Sequence, residues 1–286
     1  MSVYKIAGLG FCIESEEFDS FFYHNYRPFR VEATGDAPLL FRMGFKPLPA
    51  VQEESTCYFH TDRGVYRIWL QEDFYIVEFQ LNGSKRKYRM RADKNWSQVE
   101  ADIYANGLYD PSVLNELILI AFVYSAAFHD AVLLHASSIR YGERGVAFIG
   151  PSGIGKSTHS LLWLEHIRGA CLLNDDQPVV RLIEGIPYVF GSPWSGKTVC
   201  FKNESARLEA LFLMEQALEN RIDRLPPVPA FQKLLASCAM IKQDEKTFAC
   251  ITETLSSIAG KVKMFHLRSK PEKAAAELSF KYGITK

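Results

Sequence analysis

Charge of one sign is not in excess in this sequence: thirty-three Lys and Arg stand against thirty-three Asp and Glu. A balanced chain lays no overall field over nucleic acid or an anionic membrane, so any anion site has to be built locally. Paired cysteines are missing as well. Cys12, Cys57, Cys171, Cys200, Cys238 and Cys250 are scattered with no C-x-x-C pair, which is neither a zinc spacing nor a disulfide framework. Long apolar runs are also lacking. The most apolar stretch, Leu114 to Phe128, is interrupted by Glu116 and falls short of the roughly 20 residues that cross a bilayer. The N-terminal region carries Glu14, Glu16 and Glu17 and no signal-like apolar core, so a cytoplasmic location is expected. Internal repeats and low-complexity segments are absent too. These absences lead us to expect neither a nucleic-acid nor a membrane partner.

What is present divides into two regions. Residues 1–109 read as a β-rich domain. Thr56 to His60, Val65 to Leu70, Phe74 to Gln80 and Arg86 to Arg91 are strand-like, and Asp62-Arg63-Gly64, Gln71-Glu72-Asp73 and Asn82-Gly83 separate them as turns, which predicts an antiparallel meander. Lys85, Arg86, Lys87, Arg89 and Arg91 cluster here and are expected to protect a solvated edge strand. Asp110-Pro111 is a helix-start pair, and the apolar run behind it predicts a buried helix. A second domain is expected over 110–286.

Within that domain, Gly150-Pro151-Ser152-Gly153-Ile154-Gly155-Lys156-Ser157-Thr158 fits G-x-x-x-x-G-K-[ST]. Small residues let successive backbone N–H groups curl round an anion at a helix N-terminus. Lys156 could then meet β- and γ-phosphates and the Ser157 hydroxyl a Mg²⁺ ion. The flanks suit the motif: an apolar run, Gly145 to Ile149, precedes it and a helical pattern, Lys156 to Ile167, follows. Ala131 to Ile139 is expected as a strand before the loop, and Leu208 to Met214 is open between helix and strand.

Nineteen residues after Lys156 come Asp175 and Asp176, at the end of the apolar run Ala170 to Leu173. Acids at a strand end beside a phosphate loop suit Mg²⁺-nucleotide chemistry, with one on the metal and the other taking a proton. Consecutive strand residues face opposite ways, so both serve one site only if the chain bends there. Trp163 is expected in the core, and Arg221, Asp223 and Arg224 as surface ion pairs.

Leu134-His135-Ala136-Ser137, the loop 150–158 and Leu173-Asn174-Asp175-Asp176 together resemble the C-terminal domain of HPr kinase/phosphorylase and its relatives, which shares its phosphate-loop domain with ATP-dependent PEP carboxykinase. The resemblance covers about Ala131 to Lys286. It implies Asp175 as catalytic base, Asp176 as metal residue and His135 near the phosphates. Ser192-Pro193-Trp194-Ser195-Gly196-Lys197 stands where the family carries a glycine-rich segment that engages HPr. It resembles instead relatives that act on peptides or free hydroxy amino acids, with Lys197 neutralising the transferred phosphoryl group.

The expected fold is α/β (α+β): an N-terminal, mostly antiparallel β region, then a PEP-carboxykinase-like phosphate-loop domain with a mixed sheet. The expected function is an ATP- and Mg²⁺-dependent kinase acting on a Ser/Thr-type hydroxyl of a peptide, protein or small molecule. Asp175, His135 and Lys197 are the expected catalytic groups; Gly150, Ser152, Gly153, Ile154, Gly155, Lys156, Ser157 and Thr158 bind nucleotide; Ser157 and Asp176 hold the metal. The resembled kinases imply a homo-oligomer. A PEP-carboxykinase-type enzyme and a non-catalytic nucleotide sensor or scaffold are the alternatives.

Overall fold

The computed structural model describes residues 2–14, 21–32, 38–105, 108–109, 111–238 and 240–285. Asp110, Glu16 and Glu17, which figured in the reading above, lie outside these. The protein is mixed α/β, with two mixed sheets. The chain forms two compact units, Met1–Phe128 with Met240–Phe248, and His129–Ala239 with Ala249–Lys286.

The first unit contains β1 (Ser2–Ile6), β2 (Leu9–Ile13), β3 (Arg30–Val31), β4 (Leu39–Phe45), β5 (Cys57–His60), β6 (Gly64–Leu70), β7 (Phe74–Leu81), β8 (Tyr88–Asp93) and β9 (Gln98–Asp102). The described strands order as β3-β1-β2-β4-β9-β8-β7-β6-β5. From β5 to β9 each strand pairs antiparallel with the next, as the turn spacing suggested, while β2–β4 and β4–β9 are parallel. A short ladder joins β10 (Tyr104–Ala105) to β11 (Leu108–Tyr109). The apolar run becomes α1 (Pro111–Ala127), which belongs to this unit and packs on β4, β7 and β8. Glu116, buried on it, is satisfied by Arg63 at 2.7 Å and by the Tyr66 hydroxyl at 2.8 Å.

The strand that carries the cluster is not an edge. β8 lies between β7 and β9, and Lys87 and Arg89 of the cluster serve a buried carboxylate instead. Glu78, with a side chain only 3% exposed, meets Arg67 at 3.5 Å, Lys87 at 3.0 Å and Arg89 at 3.1 Å. Cross-strand register explains the match: Arg67 on β6 and Arg89 on β8 stand directly opposite Glu78 on β7. Arg91 lies over the Phe74 ring at 4.1 Å.

The second unit contains β12 (Ala131–Leu133), β13 (Ala136–Tyr141), β14 (Arg144–Ile149), α2 (Lys156–His166), β15 (Ala170–Asp176), β16 (Val179–Ile183), β17 (Ile186–Phe190), β18 (Ser205–Gln216), β19 (Arg221–Arg224), α3 (Pro227–Ala236), β20 (Lys263–Ser269) and α5 (Lys273–Phe280); α4 (Glu245–Lys261) carries the chain across the division between units. Its described strands order as β12-β16-β17-β18-β14-β13-β15, and β20, with β19 on it, pairs to the far half of β18. The ambiguous run 208–214 is therefore strand. β14, β18 and β20 run parallel, and Phe148, Phe212 and Phe265 stand in register across them, stacked at 5.5 Å per step. That aromatic row forms the core under α2 and α5, where Trp163 is fully buried.

One expected strand is two. Ala131 to Ile139 breaks at Leu134 and His135 because the chain changes neighbours there: β12 pairs β16, whereas β13 pairs β14 and β15. The His135 N–H donates to the Ser237 carbonyl at 2.8 Å, outside the sheet ladder. Among the described residues no helix is long and apolar enough to cross a membrane.

Candidate functional site

β14 is buried along Val146 to Ile149, and where it leaves the sheet the chain turns sharply. Gly150 has φ 148°, Gly153 79° and Gly155 109°, values that only glycine adopts without strain. A Cβ on Gly150 would also press to 3.1 Å against Ile154. Gly155 is the N-cap of α2, and the first-turn N–H groups of that helix have no intrahelical acceptor. Pro151, Ser152, Gly153 and Thr158 are exposed, and Ile154, Gly155 and Ser157 half-buried. The sequence folded a loop with open backbone donors at a positive helix end, which suits an anion.

Lys156 folds back over this loop. Its buried ammonium donates to the carbonyls of Gly150 at 2.9 Å and Pro151 at 3.1 Å, and to His135 Nε2 at 2.9 Å. Burial pulls its pKa below the usual lysine value, and the charges of Asp176 and Asp175 partly oppose that. No described carboxylate lies within 4 Å of it. His135 Nδ1 meets Asp176 Oδ1 at 3.0 Å. An imidazole that accepts from Lys156 at Nε2 carries its proton at Nδ1, where it donates to Asp176. The three side chains form one hydrogen-bonded line, Asp176 to His135 to Lys156.

The bend that two neighbouring acids require is present. Asp176 has φ 145°, a strained value for a residue with a Cβ and of the kind that concentrates at functional sites. The two carboxylates consequently have different surroundings. Asp176 is partly open beside His135. Asp175 is 2% exposed, and its Oδ2 accepts from the Thr198 N–H at 3.3 Å while Oδ1 has no described partner.

The segment Ser192–Thr198 is held against this strand end. Gly196 N–H donates to the Asp175 carbonyl, and Ser195 Oγ donates to the Thr198 carbonyl at 2.7 Å and lies 3.4 Å from that of Asp175. A Cβ on Gly196 would stand 2.9 Å from the Asp175 carbonyl and 3.2 Å from Asp176 Cβ, so glycine is what lets the loop lie so close. Asn174, fully buried, donates to the carbonyls of Trp194 at 3.0 Å and Ser192 at 3.3 Å and accepts the Gln177 N–H at 2.8 Å.

Of the predicted residues, the fold brings together Gly150 to Thr158, His135 and Asp176, and sets Asp175 beside them at the same strand end. Lys197 is different: it is exposed on the Ser192–Thr198 loop and bonds to none of the others. Sequence reasoning gave no role to Asn174 or Gly196, the two residues that pin that loop. Their positions beside the paired acids and inside the loop motif were the available signal. Arg221 pairs with Asp223 at 2.9 Å, as expected, and Arg268 adds a second contact to Asp223 at 2.7 Å.

No group of three His, Cys, Asp or Glu that could hold a metal occurs among the described residues. The donor set still fits Mg²⁺, which keeps waters and takes one or two carboxylates with phosphate oxygens: Asp176 has a second oxygen beyond His135, and Ser157 stands in the first turn of α2. A cavity of about 470 Å³ adjoins the loop at Ile154, Gly155 and Thr158.

No protein-family model matches the chain, and no curated protein matches its sequence.

Proposed function

We propose that this protein is an ATP- and Mg²⁺-dependent kinase that phosphorylates a Ser/Thr-type hydroxyl of a peptide, protein or small molecule. The observation that carries the reading is the Asp176–His135–Lys156 line across the mouth of the glycine loop, with Asp175 held at the same strand end. Among the described residues Lys156 bonds only to carbonyls and an imidazole nitrogen, partners that a phosphate oxygen outcompetes. Gly150 and Ser152 to Thr158 cradle the triphosphate by backbone N–H groups. Ser157 and Asp176 would hold Mg²⁺, which when bound neutralises phosphate charge.

Asp175 then takes the proton of the acceptor hydroxyl as its oxygen bonds to the γ-phosphorus and the bond to the β,γ-bridging oxygen breaks, releasing ADP. His135 steadies the transferred group indirectly, by orienting Lys156 through Nε2, and Lys197 adds positive charge to it from the loop. Asp175 is almost covered, so the acceptor approaches along the segment Ser195–Val199, whose Val199 is exposed.

The test is phosphate transfer by the full chain from ATP with Mg²⁺ to free serine, threonine and serine-containing peptides, followed by mass spectrometry. Lys156→Ala is expected to weaken ATP binding roughly 100-fold, the loss of a charged hydrogen-bonding group, whereas Asp175→Asn keeps binding. Equal loss of binding in both would sink this division of roles. Tight ATP binding with no transfer to any acceptor would replace the kinase with a nucleotide sensor, and phosphoenolpyruvate turnover would replace it with a carboxykinase.

A further inference from the structure

The cavity beside the loop shares no lining residue with the His135, Lys156, Asp175 and Asp176 cluster. Its walls include Gly155 at the N-cap of α2, Thr158 and His159 from α2, Met214 and Gln216 from the end of β18, and Leu218 just beyond it. Its size is within the range of about 300–1,000 Å³ usual for small-molecule sites. Two polar groups on it are already oriented by the protein. Gln216 donates its Nε2 to the Ile154 carbonyl at 3.3 Å, which leaves Oε1 as an acceptor. His159 Nε2 meets Ser279 Oγ at 2.9 Å. Ser279 Oγ also receives Trp163 Nε1–H at 2.8 Å, and its own proton lies within reach of the Ala275 and Ala276 carbonyls at 3.1 and 3.0 Å. The arrangement that satisfies all of these makes His159 the donor at Nε2, so that Nδ1 is a bare acceptor with no described partner. Burial holds this ring neutral, its pKa pulled down to about 4.

We infer that this cavity takes the base of the nucleotide whose phosphates the loop holds, and that Gln216 Oε1 and His159 Nδ1 select adenine over guanine. The inference rests on the phosphate-loop reading above. Adenine presents its 6-amino group as a donor, where guanine presents the acceptor O6. Two fixed acceptors suit the first and leave the second unpaired and repelled. Among the described residues no carboxylate is on the lining to take the guanine N–H groups. Lys270, also on it, is paired with Glu272 at 3.2 Å. Met214 and Leu218 supply apolar surface for a flat ring.

Titration calorimetry of the full chain with Mg²⁺ separates the parts, using ATP, GTP and inorganic tripolyphosphate on the wild type, Ala217→Trp and Gln216→Leu. Ala217 lines the cavity just beyond β18, so a tryptophan there fills it. ATP should bind at least about tenfold tighter than GTP. Ala217→Trp should lose at least about tenfold in ATP affinity while binding tripolyphosphate unchanged, and Gln216→Leu should narrow the gap between ATP and GTP. Equal ATP and GTP affinities, or an Ala217→Trp protein that binds ATP normally, would overturn the base site alone. If Ala217→Trp loses tripolyphosphate as well, its fold has failed and Gln216→Leu decides. A wild type that binds neither ATP nor tripolyphosphate would bring down the phosphate-loop reading, and the base site with it.

Discussion

The two sheets handle charge in opposite ways. In the first unit, Glu78 sits in the middle of β7 and receives Arg67 from β6, Arg89 from β8 and Lys87 from just before β8, so its charge is met by its own sheet. In the second unit Lys156, after β14, is buried against carbonyls and an imidazole with no described carboxylate in contact. A charge satisfied by its own sheet stabilises a fold and has little left for a ligand. A charge held by dipoles alone is available to an anion. The contrast separates a charge cluster closed within its sheet from one left open to an anion, although the first has more basic residues.

The strongest blow to this contrast would be an inert Asp175. Replacing it with Asn should lower phosphate transfer roughly 10²- to 10⁴-fold, with ATP affinity kept, as read by single-turnover transfer beside calorimetry. Next in size is a pH effect from His159. Its folded pKa is depressed to about 4 by burial, so between the ordinary histidine value and that one the unfolded chain binds the extra proton. Stability therefore falls as pH drops from about 6.5 toward 4, by up to about 3 kcal/mol, and is level above that window. His159→Phe should flatten that slope in urea titrations taken across the range. Breaking the structural cluster comes third. Glu78→Gln should destabilise by about 1–3 kcal/mol, because it leaves three cations without their carboxylate, reduced by the partial exposure of Arg67 and Lys87. Nucleotide affinity should not change; if it does, the first sheet is no mere scaffold. Smallest is Lys87→Ala, expected at about 0–1 kcal/mol and readable only as a small midpoint shift.

Part of the site was legible in the chain. Gly150, Gly153 and Gly155 marked a loop able to curl round an anion, and the apolar runs on either side marked strand and helix, because backbone preference and periodicity act over a few residues. The meander β5 to β8 was legible for the same reason. The basic cluster was misread because the number and sign of side chains do not say which strand neighbours which. Only the pairing of β8 with both β7 and β9 put Lys87 and Arg89 beside Glu78. The 131–139 segment was read as one strand because its composition is continuous, while the change of partners at His135 depends on strands far along the chain.

By itself, then, the sequence determined the local pieces: a glycine loop entering a helix, a lysine at its first turn, two acids ending a strand. Tertiary structure alone decided their relation. His135 reaches both Lys156 and Asp176 because β13 lies between β14 and β15. Asp176 takes its strained φ because the Ser192–Thr198 loop is pinned against it through Gly196 and Asn174. The cavity walls come from α2, the end of β18 and the turn after β20, pieces far apart in sequence. Propensity is a property of neighbouring residues, whereas a hydrogen-bonded line or a cavity exists only once burial of the aromatic row has fixed distant strands in register.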